Sequence, residues 1–180
     1  MMGQRIVDLT LTAYHGMRGV AISPNTSTAN EGYNTTNLTL YSHTGTHPDA
    51  PRHFLDGGMT LESVDPHKCV GPALVIDVSH KQPDSLITVA DLGARAAEIG
   101  PGARVLLYTG WDAHAELPDY RTSFPRISRE LAGWLAARGV WLVGVETPSV
   151  AALHDRAELT EVHQTLLRSE VVIVECLTNL

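Results

Sequence analysis

Four short apolar runs constrain this chain more than any other feature: "GPALVIDVSH" (71–80), "ARVLLYTGW" (103–111), "VWLVGVET" (140–147) and "EVVIVECL" (170–177). None approaches the ~20 apolar residues that a membrane-spanning helix needs. Unbroken apolar runs of this length suit strands buried on both faces, as in parallel sheet covered by helices. Stretches with helical signals separate them. "TVADLGARAAEIG" (88–100) has Thr88 as N-cap and Gly100 as its stop, and "SRELAGWLAARG" (128–139) is capped by Ser128 and ended by Gly139. "TEVHQTLLRS" (160–169) is a shorter helix capped by Thr160.

The first half is mostly strand. "RIVDLTLT" (5–12) alternates and is β-rich, and "YNTTNLTLYSHT" (33–44) forms a second strand. Residues 13–32 are rich in Gly, Pro, Asn and Ser without periodicity, which predicts a long loop or arm. The expected fold class is therefore α/β with a mixed central sheet, in one domain over residues 1–180.

Composition excludes some functions. The formal net charge is -7 and no basic run occurs, so a nucleic-acid partner is not expected. Cys69 and Cys176 form neither a disulfide framework nor a CxxC pair, which points to a reducing compartment. "MMGQRIVDLTLT" lacks the basic and apolar regions of a secretory leader. A cytoplasmic location with no membrane partner is the expectation.

The nine histidines are concentrated where they matter. "HTGTHPDAPRH" (43–53) places His43, His47, Asp49 and His53 in eleven residues. Gly45, Pro48 and Pro51 rule against a helix. In an extended chain the even offsets send all four side chains to one side, but a straight strand would spread them over roughly 30 Å. A kinked segment brings them to a point. Imidazole and carboxylate donors suit Zn²⁺, Mn²⁺ or Fe²⁺, and three protein ligands with an open position are the catalytic pattern.

Further donors lie near the C-terminus. Glu175 sits in an apolar strand, where a carboxylate is costly unless paired or metal-bound; an ion pair with Arg168 and a strand-end position are the other readings. His163 lies on the short helix. Cys176, one residue on from Glu175, faces the other way and reads as core. Trp111 is either an apolar wall for a planar substrate or a core aromatic. His15, His67, His80, His114 and His154 read as loop or surface residues.

"HTGTHPDAPRHF" resembles the His-x-Gly-Thr-His-x-Asp-x-Pro-x-His signature of the metal-dependent cyclase family, which includes bacterial kynurenine formamidases and isatin hydrolases. "LLYTGW" (106–111), "VGVETPSV" (143–150) and "VHQTLLRSEVVIVECLTNL" (162–180) are similar to further segments of that family. The resemblance implies a swivelling β/α/β fold. It also implies that His43, His47 and Asp49 hold a first metal, that Asp49 bridges to a second site completed by His163 and Glu175, and that His53 is catalytic. The implied cofactor is a divalent metal, Zn²⁺ first and Mn²⁺ as the alternative, in one or two sites. The implied assembly is a homodimer or homotetramer, with residues 13–32 suited to closing a neighbour's site. The implied reaction is hydrolysis of an amide C–N bond in a small aryl or cyclic amide, with N-formylkynurenine leading. Another small carbonyl substrate and a non-catalytic metal-binding module are the rivals. The chain departs from the family in four places: "GVAISPNTSTAN" (19–30) lacks the usual aromatic residue, Glu146 replaces an Asp, Cys176 replaces an Asn, and the segment between Ser149 and His163 is short.

Overall fold

The computed structural model describes residues 6–180, so Arg5 of the strand predicted over 5–12, and the first residues of "MMGQRIVDLTLT", lie outside it. The strands are β1 (Val20–Thr26), β2 (Thr35–Leu40), β3 (His47–Asp49), β4 (Leu74–Asp77), β5 (Leu86–Ile87), β6 (Arg104–Tyr108), β7 (Arg126–Ile127), β8 (Leu142–Val145) and β9 (Val172–Glu175). Two α-helices, α1 (Arg129–Ala137) and α2 (Arg156–Arg168), join them.

The central sheet runs β3-β9-β8-β6-β4. Strands β4, β6, β8 and β9 are parallel, and β3 pairs antiparallel with β9. The fold is thus mixed α/β with a mixed sheet, and the four apolar runs are its parallel strands. Side chains alternate across the sheet. Val105, Leu107, Val143, Val145 and Ile173 face a core shared with Leu131 and Leu135 of α1 and Val162, Leu166 and Leu167 of α2. Leu106, Leu142 and Val172 face a smaller cluster with Leu177. Glu175 follows Ile173 by two, so it points to the helix side.

Three local expectations change. The 88–100 segment is a 3-10 stretch (Val89–Glu98) interrupted at Gly93, whose φ of 54° and ψ of -139° break the helix; Thr88 does open it, in a capping box with Asp91. Helix α2 starts at Arg156, not after Thr160, because the Asp155 side chain accepts from the amides of Ala157 (2.9 Å) and Glu158 (3.1 Å) and caps it earlier. Residues 6–12 make only one bridge, Thr10 to Leu177. The Asp8 carboxylate takes the Thr10 amide and hydroxyl at 2.9 and 2.6 Å, a local bond that competes with a ladder.

The predicted 13–32 arm is partly regular: β1 lies within it and pairs antiparallel with β2. No helix among the described residues is long and apolar enough to cross a membrane.

Candidate metal centre

The site forms where β3 meets β9. His47 lies directly opposite Glu175 in the antiparallel ladder, so their side chains share a face, and Asp49 joins them two residues along. Helix α2 lays His163 over the same face, fully buried. His43 enters from the turn before β3. Gly45 makes that turn with a φ of 57°, a left-handed conformation that glycine adopts without strain. His53 comes from the 3-10 turn Pro51–His53 that follows β3. Gly58 packs against that turn so closely that a Cβ would sit 2.8 Å from the Pro51 carbonyl carbon.

The donors converge. His43 Nδ1 is 2.8 Å from His47 Nε2 and 3.5 Å from Asp49 Oδ1. His47 Nε2 is 3.8 Å from Asp49 Oδ1 and 3.6 Å from Glu175 Oε2. His163 Nε2 is 3.8 Å from Asp49 Oδ2 and 3.5 Å from Glu175 Oε1. Three triads have donor atoms within 4.8 Å of one another: His43/Asp49/His53, His43/His47/Glu175 and Asp49/His163/Glu175. All six sequence-predicted residues are therefore brought together. The alternative partner of Glu175 is otherwise engaged, since Arg168 donates to Gln164 Oε1 at 2.7 Å.

The surrounding backbone prepares the ligands. His47 Nδ1 donates to the Gly45 carbonyl at 2.8 Å, and His163 Nδ1 to the Leu159 carbonyl at 2.7 Å. A carbonyl can only accept, so each Nδ1 carries a proton and each Nε2 is turned toward the centre. Glu175 Oε1 accepts from the Val150 amide at 2.9 Å. Asp49 Oδ2 is buried with no hydrogen-bond partner. A divalent cation fits this arrangement: nitrogen and carboxylate donors point at one another, and an oxygen that costs free energy when unsatisfied lies among them.

Electrostatics agree. Burial, then the Glu175 charge, raises the Asp49 carboxyl to about 7, against the opposing pull of His163. Burial, then the neighbouring imidazole of His47, holds His43 below its ordinary value, and Arg121 adds to this. His53 is the most exposed of the six. Lost hydration, then His43 and His163, pushes it down to about 4, so its ring is neutral at physiological pH.

A cavity of about 180 Å³ opens over the cluster, lined by His43, His53, His163 and Glu175 on the polar side. Phe54, Tyr41, Pro148, Leu153 and Leu159 supply its apolar walls, with Arg18 and Arg121 beside them. The Phe54 ring stacks on His163 at 4.3 Å. Trp111 is not part of this lining, which corrects the expectation of a substrate wall. It is buried with Tyr120, Phe124 and Cys176, and its indole donates to the Tyr120 carbonyl at 3.0 Å. Cys176 is buried in that aromatic cluster and belongs to none of the three donor triads, and burial pushes its thiol up to about 11. Glu146 is fully buried and binds the loop that carries Trp111, accepting from the Thr109 amide (2.6 Å), the Thr109 hydroxyl (2.8 Å) and the Gly110 amide (2.6 Å).

Residues 7–152 match the Cyclase family model. The chain belongs to the cyclase family. This cyclase-family chain is 34% identical over 138 residues to a kynurenine formamidase of Bacillus cereus, covering 77% of this chain and 62% of that one. It is 36% identical over 127 residues to a kynurenine formamidase of Bacillus cytotoxicus, covering 71% and 57%. It thus spans less than two thirds of the length of these curated relatives. Among solved structures, isatin hydrolase A from Ralstonia solanacearum superposes with a TM-score of 0.80 at 26% identity, covering 97% of this chain and 80% of that one.

Proposed function

We propose that this chain carries the catalytic centre of a metal-dependent amide hydrolase of the arylformamidase type. The observation that carries this reading is the buried, unpartnered Asp49 oxygen among converging His and Glu donors, directly beneath a cavity that His53 borders. His43, His47 and Asp49 would hold one ion, with Asp49, His163 and Glu175 holding a second. A divalent ion there, Zn²⁺ first and Mn²⁺ as the alternative, supplies Lewis acidity toward a carbonyl and lowers the pKa of a water in the site.

The rest falls to the chain's own residues. The backbone bonds to His47 and His163 fix both rings before substrate arrives. The neutral His53 imidazole accepts a proton from the attacking water and returns it to the departing nitrogen. Phe54 and Leu159 keep bulk water from the reacting carbonyl. Phe54 and Tyr41 also supply the aromatic surface that residues 19–30 lack, which favours an aryl amide. N-formylkynurenine, cleaved to kynurenine and formate in tryptophan catabolism, is the leading substrate, in line with the named activity of the Bacillus relatives. A cyclic amide such as isatin is the second reading, favoured by the likeness to isatin hydrolase A. Both cysteines are free, which suits a reducing cytoplasm.

The experiment is a turnover assay on metal-stripped protein reloaded with Zn²⁺ or Mn²⁺, using formanilide, N-formylkynurenine and isatin. Metal-dependent release of product from at least one is expected. Full metal loading with no turnover of any would leave a structural metal module instead.

A further inference from the structure

Several cations of this chain pair with a carboxylate, as in Arg52–Asp56, Arg95–Glu98, Arg126–Glu158 and Arg129–Glu161. Arg18 and Arg121 do not. Among the described residues neither guanidinium has a carboxylate or carbonyl partner, yet both border the cavity over the metal cluster. Arg18 lies over the face of Tyr41, 5.4 Å from the ring centroid, and Tyr41 in turn sits 5.6 Å from the His43 ring. Arg121 is partly buried.

A second cavity of about 280 Å³ adjoins the first and shares Arg18, His43 and Arg121 with it. The rest of its lining is mixed, with apolar Leu11, Met17 and Leu117 beside Tyr14 and Glu116. The two arginines therefore stand where the cavity over the metal cluster meets the second one. In a protein of net charge -7, two unpaired guanidinium groups at one cavity junction are a local reversal of sign. A guanidinium fork matches a planar carboxylate with two parallel bonds, and the walls made by Phe54 and Tyr41 suit a flat ring bearing one.

We propose that Arg18 and Arg121 are specificity-determining residues that recognise a carboxylate on the substrate, so that the preferred amides are anionic. The proposal rests on the hydrolase reading and names its substrate class. The carboxylate sits at the junction, the amide reaches toward His53, and any longer apolar part extends along Leu11 and Met17.

The test compares 2-formamidobenzoate with formanilide, which lacks only the carboxylate, on the metal-loaded protein. Wild type should prefer the carboxylated compound in kcat/KM. Arg121→Gln and Arg18→Gln should each reduce that preference about tenfold, chiefly through KM, as expected for loss of one charged hydrogen-bonding partner. Arg121→Lys should restore part of it. Calorimetry of benzoate binding to the same metal-loaded proteins gives a second readout that does not require turnover, with weaker binding expected in both Gln variants. If neither compound is hydrolysed, the hydrolase reading fails while the benzoate titration still judges the arginines. An unchanged preference and unchanged benzoate affinity in both Gln variants would overturn the proposal, because the carboxylate would then be bound elsewhere, the metal included.

Discussion

His53 and Asp49 come from the same eleven residues but occupy opposite environments, one bordering a cavity and one sealed beneath it. Replacing them should therefore give different phenotypes. His53→Ala should retain bound metal and lose turnover by roughly 10²- to 10⁴-fold, the usual worth of a positioned proton carrier. Elemental analysis beside a kcat measurement checks this; a metal-poor variant would instead assign His53 to the His43/Asp49/His53 triad as a ligand. Asp49→Ala should lose metal, and the same elemental analysis reading stoichiometric metal would remove Asp49 from the ligand set. The metal cluster was legible in the sequence because its spacing is dense and its prolines forbid a helix. For Glu175 the residues alone left Arg168 and a metal open and only the resemblance chose the metal; the β3–β9 register supplies the physical reason by setting it opposite His47. Trp111 shows the converse: a sequence marks an aromatic side chain but not the direction in which it points. Arg18 and Arg121 left no periodic or motif signal, because both sit in irregular segments.

At the scale of elements, strand interiors were the most legible parts: β6, β8 and β9 are apolar runs buried on both faces or nearly so, while β4, at the sheet edge, buries Ile76 on one face and exposes Val75 on the other. Ends and irregular pieces depended on competing local bonds that a pattern does not rank, such as Asp155 over Thr160 for the start of α2. The capping box at Thr88 was readable from sequence only as an N-cap; its strength comes chiefly from the Asp91 carboxylate that closes it, with Lys81 adding to it. Burial alone would raise the Asp91 carboxyl, but the Thr88 amide and hydroxyl, at 2.7 and 2.8 Å, and Lys81, at 3.1 Å, more than offset it and hold the group well below the usual carboxylate range. A depressed folded-state value means that the ionised form stabilises the fold. That contribution is complete above the ordinary value of 3.8 and is lost progressively as pH falls below it. Asp91→Ala should cost about 1 kcal/mol at neutral pH. Thermal unfolding from pH 7 downward should show the gap between variant and wild type narrowing below 3.8. A gap that stays constant into acid would mean that packing, not the charge, is what Asp91 contributes.

At the scale of the whole molecule, the β1–β2 ribbon is the part that the rest of the chain leaves incomplete. Its register sets Val20 opposite Leu40 and Ile22 opposite Leu38, so one face is apolar, while Ala21, Ser23, Asn37 and Thr39 form the other. Leu38 and Leu40 are 61% and 57% exposed. An isolated two-stranded ribbon is marginal in water, and one with an exposed apolar face needs cover. The segment was legible only in its second strand, because Pro24 and Asn25 give β1 the look of a loop. We propose that a second copy of the chain covers this face, in a homodimer or a tetramer of such dimers. Sedimentation velocity on the wild-type protein should show a dimer or larger species, and the double variant Leu38→Asp, Leu40→Asp should shift it toward monomer. A wild type that sediments as a monomer at micromolar concentration would reject self-association through the ribbon. If the double variant loses activity along with its partner while retaining metal, the ribbon of one copy also serves the cavity of the other. If the monomer keeps full activity, each centre is complete within a single chain.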